Sequence, residues 1–164
     1  MQKLLVYQIR RLMQYSVDLS NIYSSLVNGG YLAAAVWASP DKVPFLSVSM
    51  NTVVKETGKP MPPSGTPGPF KLADQGIITD ALSKCGFKDI VVERINVIFT
   101  FSSPEEYTQF NQAIAAPINA MLADQSRERK EEIWKAVTES ASRYVDATGS
   151  VKLDNESICI CAKK

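Results

Sequence analysis

Any chemistry in this chain is done without histidine, because the sequence contains none. That removes the commonest general base and the commonest metal ligand. A serine or cysteine nucleophile would have no imidazole to take its proton. Glu105-Glu106 and Glu131-Glu132 have the residue type for paired-carboxylate catalysis. Adjacent residues on a helix point apart, however, and capping or solvation accounts for both pairs. Cys85, Cys159 and Cys161 make no even disulfide framework. Cys159 and Cys161 would share one face of a strand, so buried thiols are expected rather than a disulfide. No cluster has metal-ligand spacing. What remains is a set of aromatics able to line an apolar pocket. Trp37 falls at the C-terminal end of an expected strand, where open α/β sheets bind ligands. Phe45 and Phe70 flank a proline-rich stretch, and Tyr107 and Phe110 begin a helical segment. Core packing is the plainer reading of each.

The glycines do not build a nucleotide cradle. Gly29-Gly30 precedes a strand instead of following one. The stretch from Gly65 to Gly68 precedes a helix but is interrupted by prolines, which lack the N–H groups a phosphate needs.

The elements that must position these residues are legible in part. Leu19, Ile22, Tyr23 and Leu26 recur at helical spacing, and Asn28-Gly29-Gly30 suits a helix-ending turn. The uninterrupted run from Tyr31 to Trp37 predicts a central strand covered on both faces, one arm of a βαβ unit. Ser39-Pro40-Asp41 is a turn signal, and residues 44–56 suit a helix. Pro60, Pro62, Pro63, Pro67 and Pro69 then exclude regular structure, leaving a long loop of the kind that forms lids or surface excursions. Asp74 is placed to cap a helix lined by Ile77, Ile78, Ala81, Leu82 and Cys85, with Gly86-Phe87 as its Schellman ending. Residues 90–101 read as a strand with one buried face. Ser103-Pro104-Glu105-Glu106 starts a helix by a capping box, and Pro117 should split it. Ser126 opens another, with Ile133, Trp134, Val137, Ala141 and Tyr144 inward. The charge cluster of residues 127–132 is its solvated first turn. Two last strands, residues 151–153 and 157–162, are expected around an Asp154-Asn155-Glu156 turn. The second should run antiparallel in the sheet. The fold class is therefore α/β, with late antiparallel strands and a helical insertion.

In order, Leu26 to Trp37, Pro44-Phe45, Pro67-Gly68-Pro69-Phe70, Leu72-Ala73-Asp74, Cys85-Gly86-Phe87, Val91-Val92-Glu93 and Ser103-Pro104-Glu105-Glu106-Tyr107 carry a family resemblance. The series resembles the C-terminal half of class I S-adenosylmethionine-dependent methyltransferases, in the quinone-biosynthesis-like, methyltransferase type 11-like branch. It covers residues 18–164. The resemblance implies a Rossmann-like, seven-stranded sheet of which this chain supplies strands five to seven, with the helices of residues 103–149 inserted between the last two. It implies S-adenosylmethionine as the parent family's cofactor and a small-molecule methyl acceptor. It makes Trp37, Phe45, Phe70, Tyr107 and Phe110 candidate substrate-binding residues. The family's cofactor parts are a glycine turn after the first strand, an acidic residue after the second and a motif near the fourth. None is present, so no catalytic or cofactor-binding residue is assigned and no cofactor is expected to bind this chain alone. The expectation is an acceptor-side fragment, inactive by itself. The alternative is a non-catalytic binding or regulatory module derived from such an enzyme.

With 164 residues and a net charge of +1, the chain fits one domain and offers no feature for nucleic acid. No apolar run reaches the roughly 20 residues of a membrane span, and no signal segment is evident, so a cytoplasmic location is expected. An incomplete sheet should leave an apolar flank open to self-association. Residues 1–17 have no counterpart in the family. Loose helical spacing of Leu4, Leu5, Ile9, Leu12 and Met13 makes a helix the default there. Codons permitted by these residues, read in a shifted frame, allow Phe-Asp-Ala-Ile-Phe-Cys-Arg-Phe. That peptide resembles the family's segment entering and crossing the fourth strand. Residues 1–17 are therefore expected to be a wrong-frame translation ahead of a partial methyltransferase domain at residues 18–164.

Overall fold

A computed structural model describes residues 4–8, 15–60 and 68–164. Its strands form one four-stranded sheet in the order β1-β2-β4-β3. These are β1 (Leu4–Gln8), β2 (Tyr31–Trp37), β3 (Lys88–Phe101) and β4 (Val151–Lys163). The helices are α1 (Tyr15–Ser25), α2 (Pro44–Thr57), α3 (Gln75–Lys84), α4 (Pro104–Ile114), α5 (Ala116–Met121) and α6 (Arg127–Ala141). The residues gather into two compact units. One holds β1, α1, β2, α3, β3 up to Val97 and β4 from Glu156. The other holds α2, α4, α5, α6 and the remaining parts of β3 and β4. Among the described residues no helix is long and apolar enough to cross a membrane.

In the first unit, β1, α1 and β2 make a βαβ unit. β1 pairs parallel with β2, from Leu4 opposite Tyr31 to Gln8 opposite Ala35. This corrects the helix expected for residues 1–17 at Leu4–Gln8, while residues 15–17 are helical as the start of α1. A short run such as Leu-Leu-Val-Tyr fits either state by pattern, and pairing along the edge of β2 selects the strand. Residues 1–3 and 9–14 of that expectation lie outside the described residues. The turn into β2 has the anticipated glycine geometry: Gly29 has φ +76°, and the Gly30 N–H donates to the Val27 carbonyl at 2.9 Å. The chain terminus locks it. The Gly29 N–H donates to the Lys164 carbonyl, the Lys164 N–H donates to the Gly30 carbonyl, and Lys164 Nζ reaches the Leu26 carbonyl at 2.7 Å. A cation at a helix C-terminus also favours the helix dipole.

β2 is central, as expected. On its other side β4 runs antiparallel, from Tyr31 opposite Lys163 to Trp37 opposite Ser157. Burial alternates along β2: Leu32, Ala34 and Val36 are buried, while Tyr31, Ala33, Ala35 and Trp37 are half-buried. β2 is thus fully buried on one face and partly buried on the other. Cys159 and Cys161 lie opposite Ala35 and Ala33 on the less covered face, so these free thiols are half-buried rather than fully buried.

Helix punctuation follows the sequence closely. Asp74 accepts the Gly76 N–H at 2.8 Å. α3 closes as a Schellman motif, with Phe87 N–H on the Leu82 carbonyl, Gly86 N–H on the Ser83 carbonyl and Gly86 at φ +97°. Ser103 Oγ accepts the Glu106 N–H at 3.2 Å, and Ser126 Oγ accepts the Arg129 N–H at 3.1 Å. The capping box closes one residue early. Glu106 takes the N–H and hydroxyl of Ser102, and those bonds, the hydroxyl's foremost, hold its carboxyl below the usual range. The chain breaks helix at Ala115, two residues before Pro117.

Three expectations fail for tertiary reasons. Residues 154–156 are not a turn; β4 runs through them. β3 has no continuous buried face: Val91, Ile95 and Ile98 are exposed, as befits a strand at the end of the sheet order. Tyr144 is 37% exposed, because α6 has already ended and a short 3-10 turn redirects the chain.

Candidate functional site

The second unit packs around Phe45, Phe101, Tyr107, Ile133, Trp134 and Val137, and its aromatic members form the candidate site. α2 starts with Pro44 at its first position, and Val43 provides no side-chain cap. The missing cap comes from β4. The Phe45 N–H donates to Asn155 Oδ1 at 2.8 Å, and Asn155 Nδ2 donates to the Leu153 carbonyl at 2.9 Å. Asn155 is buried, so both halves of its amide satisfy backbone groups that water does not reach. From α4, the Tyr107 hydroxyl donates to the Phe45 carbonyl at 3.0 Å. Phe45 is therefore held at both backbone polar atoms.

Its ring is the hub of the cluster. Phe45 stacks on Phe99 with centroids 4.3 Å apart and planes 12° from parallel. Phe110 lies 6.0 Å from Phe45 and 5.6 Å from Phe101, and Tyr107 meets Phe101 edge-on at 5.4 Å. Such offset and edge-on pairs add to the area term of burial. Tyr107 and Phe45 are core, Phe99 is half-buried and Phe110 is 41% exposed. The cluster thus reaches solvent at one rim, made by Phe110. Behind it, Ser49 Oγ donates to Asn111 Oδ1 at 3.0 Å, and Asn111 Nδ2 donates to the Tyr107 carbonyl.

The electrostatics exclude acid–base work by this cluster near neutral pH. Its only titratable group is the Tyr107 hydroxyl, pushed up to about 12 chiefly by burial. The arrangement can hold a flat apolar or aromatic surface against Phe110, and it offers no proton carrier. No group of three or more metal-ligating side chains occurs among the described residues. A separate polar cavity of about 300 Å³, lined by residues such as Thr52, Lys55, Glu139 and Arg143, contains none of the candidate aromatics.

Of the five candidate residues, Phe45, Tyr107 and Phe110 come together. Trp37 and Phe70 belong to the first unit. There Trp37 is half-buried, at the end of β2 opposite Ser157, and Phe70 sits in a turn closed by the Ala73 N–H on its carbonyl. Phe99 and Phe101 were missed as site residues. Their spacing of two on a strand puts both rings on one face, a signal that strand burial alone already explains.

No family model matches the sequence, and no curated protein matches it. Solved structures do. The chain is similar to phosphoethanolamine N-methyltransferase 2 of Haemonchus contortus in complex with S-adenosyl-L-methionine, at 17% identity and a TM-score of 0.45. A second complex of that enzyme, with phosphomonomethylethanolamine and S-adenosylhomocysteine, gives 17% and 0.44. A putative methyltransferase from Bacillus halodurans gives 19% and 0.45. Each similarity covers 98% of this chain, which spans 33% of the Haemonchus enzyme and 63% of the Bacillus protein.

Proposed function

We propose that this chain is the acceptor-side part of an S-adenosylmethionine-dependent methyltransferase, able to present an apolar surface to a small methyl acceptor and unable to hold the cofactor alone. The observation that carries the reading is the solvent-reaching aromatic cluster built where the helical insertion meets the late strands, on α2, β3 and α4. The ordered family resemblance over residues 18–164 and the antiparallel pairing of the last strand with β2 support it. Phe45, Tyr107 and Phe110 are the substrate-binding residues of this proposal; Trp37 and Phe70 are separate candidates within their own unit. The test is calorimetric titration of the purified chain with S-adenosylmethionine, for which no saturable heat is expected. Micromolar, saturable binding overturns the reading.

A non-catalytic binding module derived from a methyltransferase is the second reading, to which an apolar rim at Phe110 is equally suited. Coding sequence upstream of residue 1 discriminates: cofactor motifs in the alternative frame support the fragment and the wrong-frame origin of residues 1–17, and their absence supports the module. Self-association through an unpaired sheet edge belongs to either reading.

A further inference from the structure

We propose that Asn28-Gly29 is a site of slow, irreversible self-modification, the conversion of Asn28 to aspartate and isoaspartate, and that the backbone of Lys164 holds it shut. The site is independent of any methyl transfer. An asparagine followed by glycine is open to this reaction because no side chain on the second residue shields its main-chain nitrogen. After losing its proton to hydroxide, the Gly29 nitrogen attacks Cγ of the Asn28 carboxamide. The new N–C bond closes a succinimide ring, and the carboxamide nitrogen takes a proton from water and leaves as ammonia. Water then opens the ring. Cleavage between the Gly29 nitrogen and Cγ leaves aspartate. Cleavage between that nitrogen and the main-chain carbonyl carbon leaves isoaspartate, with the chain routed through the former side chain. One water is consumed and one ammonia is released.

The fold supplies the target and restrains the attacking atom. Asn28 is exposed, and its carboxamide has no hydrogen-bond partner among the described residues. It sits in a turn closed by the Gly30 N–H on the Val27 carbonyl at 2.9 Å, with Gly29 at φ +76°. The Gly29 N–H donates to the Lys164 carbonyl at 3.1 Å. That bond must break before the nitrogen can lose its proton and attack. Lys164 is itself fastened at three points. Its N–H donates to the Gly30 carbonyl at 2.9 Å, its Nζ donates to the Leu26 carbonyl at 2.7 Å, and the same Nζ lies 4.9 Å from the centroid of the Tyr23 ring. All of these residues belong to one compact unit. Releasing Lys164 frees the Gly29 nitrogen beside a carboxamide already in solvent. Isoaspartate adds a backbone carbon to the turn between α1 and β2, which shifts Gly29 and Gly30 off the register set by Lys164 and makes the opening permanent.

Peptide mapping by mass spectrometry, with the aspartate and isoaspartate forms separated by chromatography, reads the rate at Asn28 in mildly alkaline buffer. The native full chain should react at least roughly fivefold more slowly than the same chain in urea, the rate equivalent of one hydrogen bond. A chain ending at Lys163, checked for an unchanged far-ultraviolet spectrum, should lose that protection. Lys164→Ala keeps the backbone pair and removes the Nζ anchors, so its rate should fall between the two. In the intact chain, hydrogen exchange should show the Gly29 amide protected. A native rate at Asn28 equal to the rate in urea overturns the proposal. So does a folded chain ending at Lys163 that reacts as slowly as the intact one, and so does a Gly29 amide that exchanges in the intact chain as fast as in urea.

Discussion

The main-chain N–H of Phe45 donates to the side-chain oxygen of Asn155 at 2.8 Å, across 110 residues of sequence. The bond caps a helix from a strand, and it fixes the residue on which the aromatic cluster turns. Replacing Asn155 with alanine leaves that N–H and the Leu153 carbonyl without side-chain partners in a buried place. Urea unfolding should show a loss of about 2–3 kcal/mol. Asn155→Asp keeps the acceptor and loses the donor to Leu153, so it should not restore the wild-type value.

Tyr107 ties stability to alkaline pH. Its hydroxyl is raised from 10.0 to about 12 in the folded chain. As pH rises, the unfolded chain therefore releases this proton first. The contribution is complete below about pH 10 and is lost as pH climbs through about 12, by roughly 2–3 kcal/mol. Unfolding curves of Tyr107→Phe should lack that alkaline slope. At neutral pH the variant should be weaker by about 1 kcal/mol, because the Phe45 carbonyl loses its donor.

Gly86 cannot take a side chain cheaply. It holds φ +97°, and an added Cβ would lie 3.2 Å from atoms of the Tyr23 ring. Tyr23 in turn meets the Phe87 ring edge-on at 5.0 Å. Gly86→Ala should destabilise the chain by about 1–3 kcal/mol, from backbone strain and displacement of Tyr23. Gly58→Ala, at φ +64° with open space around it, should cost less. A thermal-denaturation comparison of the two variants separates contact from strain.

Phe110 and Phe45 separate binding from folding. Phe45→Ala opens the buried hub and should cost about 3–5 kcal/mol. Phe110→Ala removes a ring that is 41% exposed and should cost much less. If the rim receives an acceptor, Phe110→Ala should abolish perturbation of Phe99 and Phe101 ring resonances by a phenolic ligand while the fold persists. Unchanged perturbation would remove Phe110 from the site.

The sequence by itself determined the punctuation of the chain. Asp74, Ser103 and Ser126 cap their helices, Gly86 and Phe87 end α3, and Pro117 accompanies the break between α4 and α5. Each depends on atoms within a few residues, so local chemistry is sufficient. The antiparallel course of the last strand was legible too. Only the tertiary structure decided that Leu4–Gln8 is a strand, because a short apolar segment takes its state from the partner it meets. Only it decided that β4 runs through Asp154-Asn155-Glu156: the Asn155 amide, a turn signal in isolation, is consumed by backbone groups brought from α2 and its own strand. The exposure of Ile95 and the convergence of Phe45, Phe99, Phe101 and Phe110 are likewise properties of neighbours distant in the chain. Spacing says which side chains share a face; what lies against that face is set by elements that spacing does not see.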